Sequence, residues 1–304
     1  MKGFSLKSGF GIGAVVFAVA SLISLPLRTV QYFTVIEPDG TGFYSSNNWS
    51  TYALGIILAV SAISLLFIGI TKNKKLDYDR EVKSRPVFGV FSLVAAAGAF
   101  YDGITSATKF MSNNNSFIEQ SYEVAPVWNT EKLVFGGEAI FAVLSAIFFL
   151  ALALSALSGK TNGSEHKLIS LSPVLWCMVK MIYRFSRTIS YLKVSDLAFE
   201  LLMLVFTVMF FMAFAQVNSQ ISEKNCEWKL AGYGLPAALF ALICFVPRLI
   251  VTVSGRTELI YEYSSLEICD FTTALFIIST VFTRITDKVE KNIEKKSEES
   301  PVKE

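Results

Sequence analysis

The stretch "LVFGGEAIFAVLSAIFFLALALSAL" (residues 133–157) carries a single charged residue, Glu138, in 25 positions. As an α-helix it extends about 37 Å, more than the ~30 Å of hydrocarbon in a bilayer. Its apolar residues surround the helix instead of forming one stripe, so no face of it suits water. A helix satisfies its own backbone hydrogen bonds, which is what a lipid environment demands. The segment therefore reads as a membrane span.

Similar segments recur on both sides of it, near 10–30, 51–71, 87–107, 170–190, 196–217, 231–252 and 265–283. The whole chain of 304 residues is 53% hydrophobic and 17% charged. A soluble domain carries more charge, because its surface must face water. The sequence predicts an all-α, polytopic integral membrane protein with eight transmembrane helices arranged as four hairpins over 1–286. Residues 287–304 form a charged tail, read as a frayed helix or a disordered end.

Orientation follows from the basic residues. One set of connectors holds 18 of the 27 Lys and Arg, the opposite set holds 4, and the other five lie within spans. Excess Lys and Arg mark the cytoplasmic side, which puts both termini inside a cytoplasmic (plasma) membrane. The amino-terminal "AVAS" resembles a signal-peptidase site, but the apolar run continues past it to Leu27. An uncleaved first helix is the expectation. The basic stretches 72–85 and 287–296 would then meet anionic headgroups of the inner leaflet, with no need for nucleic acid.

Two motifs repeat. "LRTVQYF" (27–33) and "SRTISYL" (186–192) share Arg, Thr, a β-branched residue and Tyr in register at an offset of 159. This fits a tandem duplication with halves 1–160 and 161–286, or a chance match. Three even-numbered segments open instead with a capping-type residue and then an acid, "NTEKLVFGGEAIF" (129–141), "VSDLAFELLML" (194–204) and "SSLEICDFTTALF" (264–276), whereas the second, "SNNWSTYALG" (46–55), has the opening without the acid. The third segment breaks the pattern, with Asp102 where an Arg is expected.

Charges within the spans are the functional signal, because each costs at least ~2.5 kcal/mol near the bilayer centre. In "MVKMIYRFSRTISY" (178–191), Lys180, Arg184 and Arg187 follow the i, i+4, i+7 spacing of one helical stripe. Arg28 and Arg248 lie at similar depths. Counter-charges in the same outer layer are Glu138, Glu200, Glu267 and Asp270, with Asp102 on the third segment. One reading is structural: ion pairs set helix register, and Arg187, Arg28 and Arg248 snorkel to headgroups. The other is a polar site in which Lys180 and Arg184 meet an anionic or zwitterionic solute, while Glu138, Glu200 and Asp270 bind a cation or set polarity.

Other motifs carry little. "SGKT" (158–161) lacks the glycine and preceding strand of a phosphate loop. "GFGIG" (9–13) opens an apolar helix, which is no setting for a dinucleotide. The one histidine, His166, falls in a connector, and the four cysteines form no CxxC pair. No disulfide, metal site or cofactor is indicated. The leading expectation is a non-enzymatic protein that transports or binds a small solute or ion. The rival is a membrane subunit or sensor with protein partners; an intramembrane enzyme on lipid-linked substrates comes third.

Overall fold

A computed structural model describes residues 9–37, 44, 49–72, 86–115, 130–158, 168–186, 195–219, 227–260 and 267–298. Among them are eight α-helices: α1 (Gly9–Thr34), α2 (Trp49–Lys72), α3 (Pro86–Asn115), α4 (Thr130–Ser158), α5 (Ser172–Ser186), α6 (Ser195–Asn218), α7 (Glu227–Val253) and α8 (Ile268–Glu298). The described residues hold no strand, only an isolated antiparallel bridge between Ile36 and Tyr44. The protein is an all-helical, multi-pass membrane protein.

Six helices are long and apolar enough to cross a bilayer, namely α1 to α4, α6 and α7. The expected fifth and eighth spans come out differently. α5 has 15 residues, and the apolar part of α8 runs only from Ile268 to Thr283 before charged residues continue the helix. These two helices carry Lys180, Arg184 and Asp270, and protein contacts relieve them of the need to be apolar all round. On α5, Leu175, Met178, Ile182 and Phe185 are exposed, whereas Trp176, Cys177, Lys180 and Arg184 are buried. Its polar face points into the protein and its apolar face outward, the reverse of a water-soluble helix.

The helices α3, α4, α5, α6, α7 and α8 close a ring, each packed against the next and α8 returning to α3. α1 and α2 pack on each other and on α7 outside that ring. α7 is thus the most enclosed helix. Its run from Ala237 to Ala241 is buried at every position, and three of those five residues are alanines that let neighbours approach. α2 meets α7 closely at Gly69, where a Cβ would stand 2.9 Å from the Gly232 Cα. Gly98 does the same for α3 and α8, since a Cβ there would overlap the Thr272 hydroxyl.

Below the charged layer the ring is filled by aromatic side chains. Phe276 of α8 has its ring 5.0–6.4 Å from those of Phe88, Phe149, Phe210, Phe211 and Phe214 on α3, α4 and α6. Four of these contacts are tilted or edge-on, which suits ring quadrupoles, and the one with Phe211 is stacked. They form an apolar plug across the ring.

Of the repeated motif, the first copy and Ser186 lie within the described residues and 187–192 lies outside them. α3 extends to Asn115 into the expected outer connector, and α8 extends through 287–298 of the expected tail.

Phe276→Ala should destabilise the detergent-solubilised protein by about 3–5 kcal/mol through the cavity it leaves. Phe185→Ala, on the outward face, should change stability by less than about 0.5 kcal/mol. Chemical unfolding followed by tryptophan fluorescence measures both.

Candidate functional site

Helix polarity explains where the charges gather. An α-helix carries partial positive charge at its amino end and partial negative charge at its carboxyl end. Asp196 and Asp270 lie in the first turns of α6 and α8, and Arg184 in the last turn of α5. Arg28 and Arg248 sit toward the carboxyl ends of α1 and α7, Glu138 and Glu200 toward the amino ends of α4 and α6. All of them meet at one end of the bundle.

There they form a row of alternating sign. Lys180 Nζ lies 3.2 Å from Asp102 and 2.8 Å from Glu267. Glu267 also accepts from Arg184 Nη2 at 2.9 Å, and Arg184 Nε lies 3.2 Å from Glu200. Glu200 then meets Arg248 at 2.6 Å, and Arg248 lies 3.6 Å from Asp196. Asp196 closes the row against Arg28. Four cations and four carboxylates neutralise one another along it. The pairing is deep, with Arg28 1% and Arg248 2% exposed, so these two arginines are held inside the protein and do not reach for headgroups.

Neutral donors and acceptors complete both ends. Tyr32 donates to Asp196 at 2.7 Å, and Arg28 donates to Gln31 at 2.9 Å and to Tyr44 at 3.1 Å. Gln31 in turn donates to the Ser50 carbonyl at the start of α2. At the opposite end the Trp176 indole donates to Asp102 at 2.8 Å, and Lys180 stands 5.2 Å from the same indole ring. Cys269 Sγ accepts from Lys180 at 2.9 Å.

Two carboxylates fall outside this balanced row. Glu138, 7% exposed, reaches Lys180 only at 4.0 Å. Asp270 meets the Cys269 thiol at 3.6 Å and makes no salt bridge among the described residues. Counted over the described members of the layer, six acids face four cations. Lys109 is near but exposed, over the Phe135 ring at 5.7 Å.

Each surplus acid lines a cavity. One, of about 30 Å³, lies between Glu138, Lys180, Arg184, Glu200 and Glu267 and includes Lys109 and Tyr183. The second, of about 20 Å³, lies between Asp270, Lys180, Trp176, Thr207 and Thr273. Lys180, Met203 and Leu204 border both, so the Lys180 side chain stands between them. Each space admits one or two waters or a bare ion.

The fold thus brings together Lys180, Arg184, Arg28, Arg248, Glu138, Glu200 and Asp270, as well as Asp102 and Glu267. Arg187 lies outside the described residues. Asp196, the partner of two arginines, escapes sequence reading because it occupies a capping position at the start of α6. Its spacing of four from Glu200 was the available signal, since i, i+4 residues share a helix face. Cys269 escapes because no second cysteine is spaced for pairing; the fold supplies carboxylates instead, with Asp102, Glu267 and Cys269 offering ligand atoms within 4.8 Å of one another. No protein-family model matches this chain, and no curated protein or solved structure matches it either.

Asp196→Ala should cost about 3–5 kcal/mol, because it leaves the buried Arg28 without a carboxylate, while Arg248 keeps Glu200. Glu138→Gln should be close to neutral, since that side chain makes only a long contact. Unfolding midpoints of the two variants in detergent check the contrast.

Proposed function

We propose that this membrane protein binds and translocates a small cation, using the two surplus carboxylates of the polar layer. What supports this reading above all is that Glu138 and Asp270 are extra to a neutral row and that each lines an ion-sized cavity beside Lys180. Carboxylates beyond those that the row's cations balance cost several kcal/mol each in a low-dielectric layer. A proton or mobile cation at each position removes that cost.

The anionic solute that Lys180 and Arg184 suggest from sequence fits the geometry less well. Both cations already share Glu267, and an anion would have to displace it against the remaining carboxylates. The cavities of about 30 and 20 Å³ also suit an ion better than an organic solute. Translocation past the aromatic plug around Phe276 requires a second arrangement of the ring, as alternating access does in general.

The accompanying topology is eight crossings in four hairpins, with both termini cytoplasmic and the polar layer in the outer half of a plasma membrane. Short α5 and α8 cross it within the ring, sheltered by their neighbours. Tags at either terminus should be protected in intact cells, and a tag in 116–129 should be accessible from outside; the opposite accessibility would invert the layer's position.

The rival, a membrane subunit whose charges only organise the bundle, is favoured by the completeness of the ion-pair row. Reconstitution separates the two. In vesicles containing a pH-sensitive dye, a gradient of Na⁺, K⁺, Mn²⁺ or Zn²⁺ should move protons above the protein-free rate. Glu138→Gln and Asp270→Asn should each lower that rate at least about tenfold with melting temperatures little changed. Vesicles that respond to no gradient would leave the subunit reading standing.

A further inference from the structure

The Lys180 ammonium occupies a place built like a metal site. Around its Nζ stand Glu267 at 2.8 Å, Cys269 Sγ at 2.9 Å, Asp102 at 3.2 Å and Glu138 at 4.0 Å. These four ligand-type side chains come from α3, α4, the residue before α8 and α8 itself, while the ammonium arrives from α5. Three of them already hold their ligand atoms within 4.8 Å of one another without a metal. Glu138 adds a second observation, being a buried acid, 7% exposed, that borders the cavity beside the ammonium and is farthest from it.

We propose that Asp102, Glu138, Glu267 and Cys269 are the ligands of a soft divalent cation of the Zn²⁺ class, and that the Lys180 ammonium is the tethered cation which holds the site in its absence. One thiolate with three carboxylates suits a four-coordinate, borderline-soft ion better than Na⁺, K⁺, Mg²⁺ or Ca²⁺, which prefer oxygen alone. Metal and ammonium compete for the same charges. On binding, Cys269 releases its proton to become a ligand. The Lys180 side chain has the adjoining cavity beside Asp270 to move into, where the second surplus carboxylate receives it. With the metal bound, each set of acids thus has a cation of its own.

This inference rests on reading the layer as a cation site, and it specifies which cation. Its test is equilibrium binding, independent of flux. Cd²⁺ titrated into the purified full-length protein in lipid nanodiscs should give an ultraviolet thiolate-to-cadmium charge-transfer band that saturates at one metal per chain. Cys269→Ser should abolish the band, and Lys180→Ala should tighten binding at least about tenfold by removing the competitor. A band that survives in Cys269→Ser would assign it to another thiol and overturn the proposal. A band in Lys180→Ala alone would overturn it as well, because the wild-type ammonium then never yields, and so would the absence of a band in both. If Lys180→Ala does not fold, wild type against Cys269→Ser decides. Metal-driven proton flux without a Cys269 band would remove this inference and leave the broader cation reading intact, whereas a Cys269 band without flux would do the reverse.

Discussion

Hydrocarbon tolerates charge only where an opposite charge or polar group answers it, and much of this bundle's architecture follows from that constraint. Arg28, Lys180, Arg184 and Arg248 enter from odd-numbered helices, and Glu138, Asp196, Glu200, Glu267 and Asp270 from even-numbered ones or the residue before them. Arg184, Asp196 and Asp270 lie in terminal turns whose dipoles favour them. The row from Asp102 to Arg28 then joins α1, α3, α5, α6, α7 and the entry to α8 in one layer. Within the ring, the aromatic contacts of Phe276 and the small residues of α7 set how closely the helices approach. The charged layer decides which faces turn inward.

Hydropathy made the membrane character legible because lipid imposes it residue by residue. The segment 133–157 and the spans of α1, α2, α3, α6 and α7 announce themselves without neighbours. α5 and α8 do not, since a helix enclosed by protein is free to be short or charged, and its burial depends on the fold. For the candidate site, the stripe of Lys180 and Arg184 was visible as spacing, and the alternation of cation-bearing and acid-bearing helices was visible as pattern. The pairing within the layer was not. Asp196 looks like a helix cap in sequence yet faces two arginines, and Cys269 looks like one more span cysteine yet accepts from an ammonium. Those roles depend on which side chains converge from distant segments.

Asp102 shows how one departure from the pattern shapes the site. At its position on α3 an arginine would match the other odd-numbered helices; an aspartate instead holds Lys180 together with Trp176. With Asp102 in the row, Lys180 is fully paired by Asp102 and Glu267, and Glu138 and Asp270 are left over. Among the described residues the exception therefore leaves more acids than cations in the layer.

The central claim is that Glu138 and Asp270 exceed what the described cations of the layer neutralise. Infrared difference spectroscopy of the protein in lipid, with and without bound metal or at two pH values, reads neutral carboxyl groups directly through their C=O stretch. The account predicts a neutral-carboxyl band in the metal-free wild type that loses part of its intensity in Glu138→Gln and part in Asp270→Asn, and that falls when a cation binds. A wild type with no such band at any pH where the protein is folded, and no bound cation, would contradict it.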